Sequence, residues 1–293
     1  MKRITIILML YLFVIIYLTG CKQIDDSDQY HQVMINFDTK SLSGASLASS
    51  TENLVSKVMF FGVNDQNYVV QTIPARVIPS LSGTSLGTSL GISKKVKTLF
   101  AIANPTESLE KATPLTVLDI MNLTCDFTSA PVSPFLMSGR GEIKELEVKI
   151  ELIRAVAKIE FIGKDDFQIE KVVVNNTPDK GFVFNQEKLS VPSTAVRTSY
   201  PAITSTTPTL YIAESAAQNP ASFELTGKYN GKPASYSLTL KSGGKTIDIV
   251  RNTHYQVGIM SITEDICTIS INVVDWSDPV DTDDHTIPEN AFN

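Results

Sequence analysis

Residues 146–161 read LEVKIELIRAVAKIEF, and the apolar positions in this stretch change phase half-way along it. They are first even-numbered, from Leu146 to Leu152, and then odd-numbered, from Ala155 to Phe161. Side chains of a β-strand alternate with a period of two, so this change moves the buried face to the other side of the chain. A bulge within one sheet would produce it. So would a strand that ends one sandwich, followed by a strand that begins another. Strand-rich sequence of similar length on either side favours the second interpretation.

The flanking sequence predicts a mainly β fold, made of two antiparallel β-sandwich domains with few short helices. Residues 32–39 (QVMINFDT) alternate, with Val33, Ile35 and Phe37 on one face. Further along the chain, Asn230-Gly231 separates two alternating runs, and this dipeptide tolerates the positive φ angles of a tight hairpin. The predicted boundaries place the N-terminal sandwich domain at residues 32–153 and the C-terminal one at residues 154–293.

One short helix is predicted in the first of these domains. Thr113 is a suitable cap and Pro114 suits the first turn, where its missing N–H costs nothing. Leu115, Leu118 and Met121 then lie along one stripe of this helix.

The first 31 residues are typical of an exported lipoprotein. Lys2 and Arg3 precede a 14-residue apolar run at 4–17, which is too short to span a bilayer and fits a signal peptide. The run ends in Leu18-Thr19-Gly20-Cys21, which resembles a bacterial lipobox. We therefore expect a signal peptide at residues 1–20, lipid attached to Cys21, and an acidic tether at residues 21–31. An ordinary signal peptide and an uncleaved anchor are the alternatives.

The charge of the mature chain excludes one class of partner. Removing residues 1–20 takes away Lys2 and Arg3 and no acids, which leaves 23 basic and 31 acidic residues. Such an acidic chain has no electrostatic footprint for nucleic acid.

Three cysteines are present, and Cys21 is assigned to the lipid. Cys125 and Cys267 could pair in an oxidising compartment, and the sequence leaves this open. Cys267 alternates with Ile269 and Ile271, which favours a small core residue.

No catalytic, cofactor-binding or metal-binding pattern stands out, and we expect the protein not to be an enzyme. The chain lacks G-x-S-x-G, H-E-x-x-H and a glycine-rich loop that opens a helix. His254 is expected to be structural, and Trp276, the only tryptophan, to pack in a core or at a domain edge rather than stack on a sugar. Five tail acids could gather around calcium but lack the spacing of a calcium loop, which favours a solvated tail: Asp275, Asp278, Asp281, Asp283 and Asp284.

Six short motifs carry a resemblance to a known family. They are Phe100-Ala101-Ile102-Ala103-Asn104-Pro105, Met137-Ser138-Gly139, Leu152-Ile153-Arg154-Ala155-Val156-Ala157-Lys158-Ile159, Leu210-Tyr211-Ile212-Ala213-Glu214-Ser215, Arg251-Asn252-Thr253-His254-Tyr255 and Val274-Asp275-Trp276. In this order they resemble the fimbrillin families of Bacteroidales, the subunits and anchors of type V pili. The resemblance implies two sandwiches of transthyretin-like topology, an outer-membrane surface location, and assembly with other fimbrial subunits by strand exchange.

The resemblance also implies how the subunits would be processed. In such families a protease removes the first strand, and a strand of another subunit fills the groove. Here the first strand is 32–39, and its apolar residues Val33, Met34, Ile35 and Phe37 are expected to be buried. The best-known members are cut after an arginine in the following loop, but 41–75 contains no arginine, and only Lys40 and Lys57 offer a basic residue between the strand and Arg76. Either another protease acts, Arg76 is used, or the strand is kept, as in an anchor subunit.

A surface-exposed lipoprotein that binds a glycan or a host protein is the alternative function. Fold does not separate the two functions, because sandwiches carry many activities.

Overall fold

The structure is a computed structural model and describes residues 29–39, 51–77, 86–206, 208–263 and 266–276. Its strands are β1 (Tyr30–Thr39), β2 (Lys57–Val63), β3 (Val69–Val77), β4 (Leu86–Ser93), β5 (Thr98–Ala103), β6 (Thr124–Asp126), β7 (Met137–Glu142), β8 (Glu147–Arg154), β9 (Ala157–Ile162), β10 (Phe167–Asn175), β11 (Thr177–Pro178), β12 (Lys180–Phe182), β13 (Arg197–Thr198), β14 (Ile203–Thr204), β15 (Thr209–Ile212), β16 (Ser222–Tyr229), β17 (Lys232–Leu238), β18 (Lys241–Ser242), β19 (Lys245–Thr246), β20 (Thr253–Ile262) and β21 (Cys267–Asp275). Helices are α1 (Glu107–Glu110) and α2 (Val117–Met121), and Thr51–Asn53 forms a 3-10 turn. None of the helices in these residues is long and apolar enough to cross a membrane.

A seven-stranded sheet carries the first half of the chain, in the order β3-β2-β5-β7-β8-β1-β4. Its strands β1, β2, β4, β5 and β8 all contribute buried side chains to one N-terminal core. Strand β2 alternates with both faces covered: Val58 and Phe60 lie in this core, whereas Met59 and Phe61 lie behind the sheet. A strand buried on both sides needs a continuous apolar run, which KVMFFGV supplies.

Two four-stranded sheets form the second half, in the orders β14-β10-β16-β17 and β15-β9-β20-β21. Side chains from both sheets form a C-terminal core, in which Phe161 packs edge-on against Phe223 at 5.4 Å between centroids. The predicted hairpin is confirmed. Strands β16 and β17 pair up to Tyr229↔Lys232, and Asn230 and Gly231 have φ angles of 48° and 80° between them.

A third apolar cluster, here called the junction cluster, contains residues of both halves of the chain. Met59, Phe61 and Phe100 reach it from the back of the seven-stranded sheet, and Ala213 and Trp276 reach it from the C-terminal half. The two halves therefore share buried surface rather than being joined by chain alone.

The phase change at 146–161 falls between two strands of different sheets. Strand β8 ends at Arg154 and lies in the seven-stranded sheet, and β9 begins at Ala157 in a C-terminal sheet. Val148, Ile150 and Leu152 are buried in the first case, and Ala157, Ile159 and Phe161 in the second. The mainly β class is confirmed, while the domain boundary itself stays a prediction.

Several details differ from the sequence expectations. The sheets are mixed rather than purely antiparallel, because β1 runs parallel to β8 and β9 runs parallel to β20. Leu146 lies in the tight turn before β8 with a φ of 67° and is half exposed, so it does not join the apolar face of that strand.

The predicted helix is shorter and begins later in the chain. It begins after Thr116, whose side chain and that of Asp119 form a reciprocal capping box. Ile120 is the buried residue, Met121 is partly buried against the junction cluster, and Leu115 and Leu118 are exposed. Of the predicted stripe, Met121 therefore packs against apolar side chains and the two leucines do not.

Candidate functional site: the first strand and the junction

Strand β1 lies inside the seven-stranded sheet, between β8 and β4. Its alternation is as predicted, because Val33, Ile35 and Phe37 are at most 1% exposed, and the ring of Phe37 lies 6.0 Å from that of Phe60. Met34 points the other way and is 44% exposed, so only three of the four expected apolar side chains are buried.

The two strands next to β1 run in opposite directions relative to each other. It pairs in parallel with β8, from Met34↔Glu147 to Thr39↔Leu152, and antiparallel with β4, from Tyr30↔Ser93 to Phe37↔Leu86. The strand begins at Tyr30, two residues earlier than predicted. Both of its backbone edges are therefore used, which makes β1 an internal strand.

The candidate cleavage residues occupy different settings. Arg76 lies within β3, exposed and opposite Val58 of β2. Lys57 lies in β2 and makes an ion pair with Glu110. A protease needs an unpaired extended chain, so neither position suits a cut in the folded protein. Lys40 lies outside the described residues.

Behind the sheet, Glu52 collects donors from three separate parts of the chain. Its carboxylate accepts hydrogen bonds from Tyr211 (2.6 Å), from the Trp276 indole (2.6 Å) and from Lys158 (3.0 Å). Burial alone would raise the pKa of Glu52, but these donors and the charge of Lys158 outweigh it and lower the pKa below its ordinary value. Glu52 is therefore a stable anion at the centre of the junction.

Arg154 continues the buried face of β8 and is 1% exposed. It donates to the carbonyl of Glu52 at 3.2 Å, to the side chain of Asn252 at 2.8 Å, and to the side chain of Asn53. Its guanidinium lies 4.7 Å from the centroid of the Trp276 ring, a cation–π arrangement. A buried arginine is tolerated because its donors find partners there.

The six motifs contribute to this junction and its surroundings. Asn104, in the left-handed region, binds the backbone of Ser56, Leu54 and Phe135. Ser138 donates to the Val183 carbonyl at 2.7 Å. The side chains of Arg251 and Glu214 form a buried ion pair at 2.6 Å.

Trp276 is buried, as expected, and stacks on Tyr211 with centroids 5.8 Å apart. This position makes a sugar-stacking role for its ring impossible without unpacking the junction. The motifs were found by resemblance, but their common role in packing the junction was not predicted.

The remaining polar candidates are structural in their setting. Buried His254 contacts Glu160 at 3.0 Å, and this hydrogen bond lowers the pKa of Glu160.

Cys125 and Cys267 are both free thiols, and burial raises the pKa of Cys125 to about 12. In the described parts of the chain no group of three His, Cys, Asp or Glu residues could hold a metal ion. Cys21, the signal peptide and the acids after Trp276 lie outside the described residues.

Sequence reasoning missed Glu52. Its segment, TEN at 51–53, has no distinctive pattern, and its partners lie more than 100 residues away. No local signal would have found it.

Several solved structures have a fold similar to that of this chain. A proposed cell adhesion protein from Bacteroides eggerthii superposes with a TM-score of 0.59 at 15% identity, over 84% of this chain and 96% of that one. The tip fimbrial protein Mfa3 from Porphyromonas gingivalis, with a C-terminal truncation, gives 0.58 at 13% identity, over 84% and 100%. This chain has the fold of Bacteroidales fimbrial and cell adhesion proteins.

A further protein with this fold, a proposed cell adhesion protein from Parabacteroides distasonis, gives a TM-score of 0.58 at 14% identity, over 85% of this chain and 97% of that one. No protein-family model and no curated protein matches the chain. The resemblance carried by the six motifs is thus confirmed at the level of the fold.

Proposed function

We propose that this protein is a cell-surface fimbrial subunit or anchor, with no enzymatic activity, that joins other subunits by exchange of β1. The observation that carries the proposal is the position of β1, an N-terminal strand held on both edges and buried through Val33, Ile35 and Phe37. Its last described residue, Thr39, is separated by eleven residues from the next one, Thr51. A single cut there would free the strand from the chain.

Removal of β1 leaves a groove that favours one kind of replacement. Burial of its three apolar side chains contributes on the order of 5–9 kcal/mol. Loss of the strand also unpairs the facing N–H and C=O groups of β8 and β4, which cannot remain unpaired in a dry groove without cost. Only another extended chain replaces both contributions.

The strands on either side of the groove, β8 and β4, determine which donor strand can bind in it. The donor has to run parallel to β8 and antiparallel to β4, as β1 does. It has to offer three apolar side chains at alternate positions, with a large one at the Phe37 position, where Phe60 lines the core. A polar or charged residue at any of these three positions would be buried without a partner.

The proposed location follows from the N-terminus. Lipid on Cys21 would anchor the protein to the outer membrane, and a subunit that keeps β1 keeps its strand and its lipid together. An uncut chain would then act as an anchor, whereas a cut chain would accept a donor strand.

Strand exchange can be tested directly with a cleavable chain. A specific protease site is placed within residues 41–50 of the mature protein, and the folded protein is cut and incubated with excess fluorescent peptide YHQVMINFDT, the sequence of Tyr30–Thr39. We expect stable uptake of the peptide by the cut protein, measured by fluorescence anisotropy and gel filtration.

Two controls define the outcome. Uncut protein, and a peptide with Val33→Asp and Ile35→Asp, should not bind. If the cut protein releases no strand and takes up no peptide, or if the substituted peptide binds equally well, the strand-exchange proposal is wrong. A glycan- or host-binding lipoprotein would then be the better hypothesis.

A further inference from the structure

Strand β4 depends on β1 for its place in the sheet. It is a terminal strand, and all eight of its paired positions, Leu86 to Ser93, face residues of β1. Alternate residues of an antiparallel strand direct their N–H and C=O groups to opposite sides. Half of the backbone groups of β4 therefore point away from β1.

The side chain of Gln71 makes hydrogen bonds with backbone groups on that outer edge of β4. Its side-chain oxygen accepts from the Ser93 N–H at 2.8 Å, and its side-chain N–H₂ donates to the Gly91 carbonyl at 3.1 Å. One amide thus makes the pair of bonds that a neighbouring strand would make. Gln71 belongs to β3, the strand at the opposite end of the same sheet, so the two terminal strands are joined through this side chain.

The sequence setting of Gln71 is unusual for a polar residue. It lies two residues from Ile73, which is buried in the N-terminal core, and it is half-buried between the exposed residues Val70 and Thr72. A polar side chain on an inward-facing side needs hydrogen-bond partners. The edge of β4 supplies both of them.

We propose that Gln71 is the positioning residue that keeps β4 in place when β1 is absent, so that β4 and β8 together present a two-walled groove to the incoming strand. This inference rests on the proposed function. Without β1, β4 loses its whole backbone ladder, and the two bonds to Gln71 remain. A wall held in register lowers the ordering cost that the donor strand would otherwise have to overcome.

The experiment uses the cut mature protein and the fluorescent peptide of Tyr30–Thr39 described above. In the Gln71→Ala variant both edge bonds are lost, and we expect the peptide to bind about ten times more weakly, since two hydrogen bonds of modest net value are worth about one decade. Gln71→Glu keeps the acceptor for the Ser93 N–H and loses the donor to Gly91, so its dissociation constant should rise in the same direction. Thr72→Ala, at the exposed neighbouring position of β3, should leave the dissociation constant unchanged.

A second measurement reports on the contact itself. Hydrogen exchange at the Ser93 amide of the uncut protein should become faster in Gln71→Ala and stay unchanged in Thr72→Ala. It also shows that the variant is folded, because the amides of β10 and β16 in the C-terminal half should remain protected.

The outcomes separate the two proposals. If the wild-type cut protein binds the peptide and Gln71→Ala binds it with the same dissociation constant, the role of Gln71 is wrong and strand exchange stands. If the wild-type cut protein does not bind the peptide, strand exchange fails and the role of Gln71 fails with it. Unchanged exchange at Ser93 in Gln71→Ala would also overturn the assignment.

Discussion

Glu52 shows at the scale of a single residue how the two halves of the chain are held together. Lys158, Tyr211 and Trp276, from three parts of the C-terminal half, donate to its carboxylate. Hydrogen bonds to a charged acceptor are stronger than hydrogen bonds between neutral groups. The carboxylate of Glu52 is also partly shielded from water. Its charge therefore stabilises the junction more than a surface carboxylate would.

The first prediction concerns Glu52→Gln, which should lower the free energy of unfolding by about 2 kcal/mol at pH 7, because Lys158 loses its counter-charge and an amide N–H₂ cannot accept. The lowered pKa of Glu52 means that its contribution is fully present above its ordinary value of 4.5 and is lost as the pH falls through the folded-state pKa. The difference between variant and wild type should therefore shrink below pH 4.5.

Urea unfolding followed through the fluorescence of Trp276 provides the measurement. Glu107→Gln is the control, since Glu107 is a highly exposed partner of Lys111 and its loss should change stability little. A difference between Glu52→Gln and wild type that stays constant from pH 7 to pH 3 would contradict the role assigned to the charge.

At the scale of elements, the close approach of β7 to β8 depends on two glycines of β7, Gly139 and Gly141. A Cβ on Gly139 would lie 2.0 Å from the Glu151 carbonyl oxygen and 2.9 Å from a methyl carbon of Ile150. We expect Gly139→Ala to lower the free energy of unfolding by about 2–4 kcal/mol, because a backbone atom cannot move aside as a side chain can. Gly163→Ala, whose Cβ would meet its nearest neighbour at 3.5 Å, should cost far less in the same thermal-unfolding assay. Equal losses would show that close strand approach is not the cause.

Strand β21 gives a second prediction at this scale. Ile271 packs partly buried against the C-terminal core, opposite Val257, and Thr268 is exposed on the same strand. Ile271→Asp should destabilise the protein by about 2–3 kcal/mol, because it places a carboxylate against apolar side chains. Thr268→Asp should cost well under 1 kcal/mol. Equal loss from both substitutions, measured by urea unfolding, would mean that the strand is buried on both faces.

At the scale of the whole molecule, the buried apolar side chains that stabilise the fold form three clusters. Two of them lie within the halves of the chain, and the junction cluster lies across them. Because Trp276 belongs to the junction cluster and is the only tryptophan, its emission reports the junction separately from strand content. Its neighbours Arg154 and Tyr211 make that emission sensitive to any separation of the halves.

Membrane attachment is the prediction for the protein in the cell. Cys21→Ser should abolish acylation and release the protein from the membrane fraction, because the thioether of Cys21 is the proposed anchor. Membrane fractionation after a high-salt wash, with mass spectrometry of the mature N-terminus, measures both effects. Persistence of the variant in membranes would identify residues 4–17 as an uncleaved anchor instead.

The sequence by itself determined the features that local periodicity controls. The alternation of β1, the phase change between β8 and β9, and the Asn230-Gly231 hairpin all follow from side-chain direction and turn geometry within a few residues. The start of α2 was also encoded locally, in Thr116 and Asp119, but the Thr113-Pro114 pair gave a competing signal. The helix starts at a capping box that has aspartate in place of the more common glutamate.

Tertiary structure alone decided which of these elements meet. The parallel pairing of β1 with β8, the collection of three donors by Glu52, and the use of Gln71 to join β3 to β4 bring together residues far apart in the chain. Strand pattern specifies which face is buried but not which strand lies alongside, because every backbone edge offers the same N–H and C=O groups. Packing of the whole sheet determines which strands become neighbours. The position of β1 between β8 and β4, and the contact of the Gln71 amide with the outer edge of β4, therefore arise only in the folded chain.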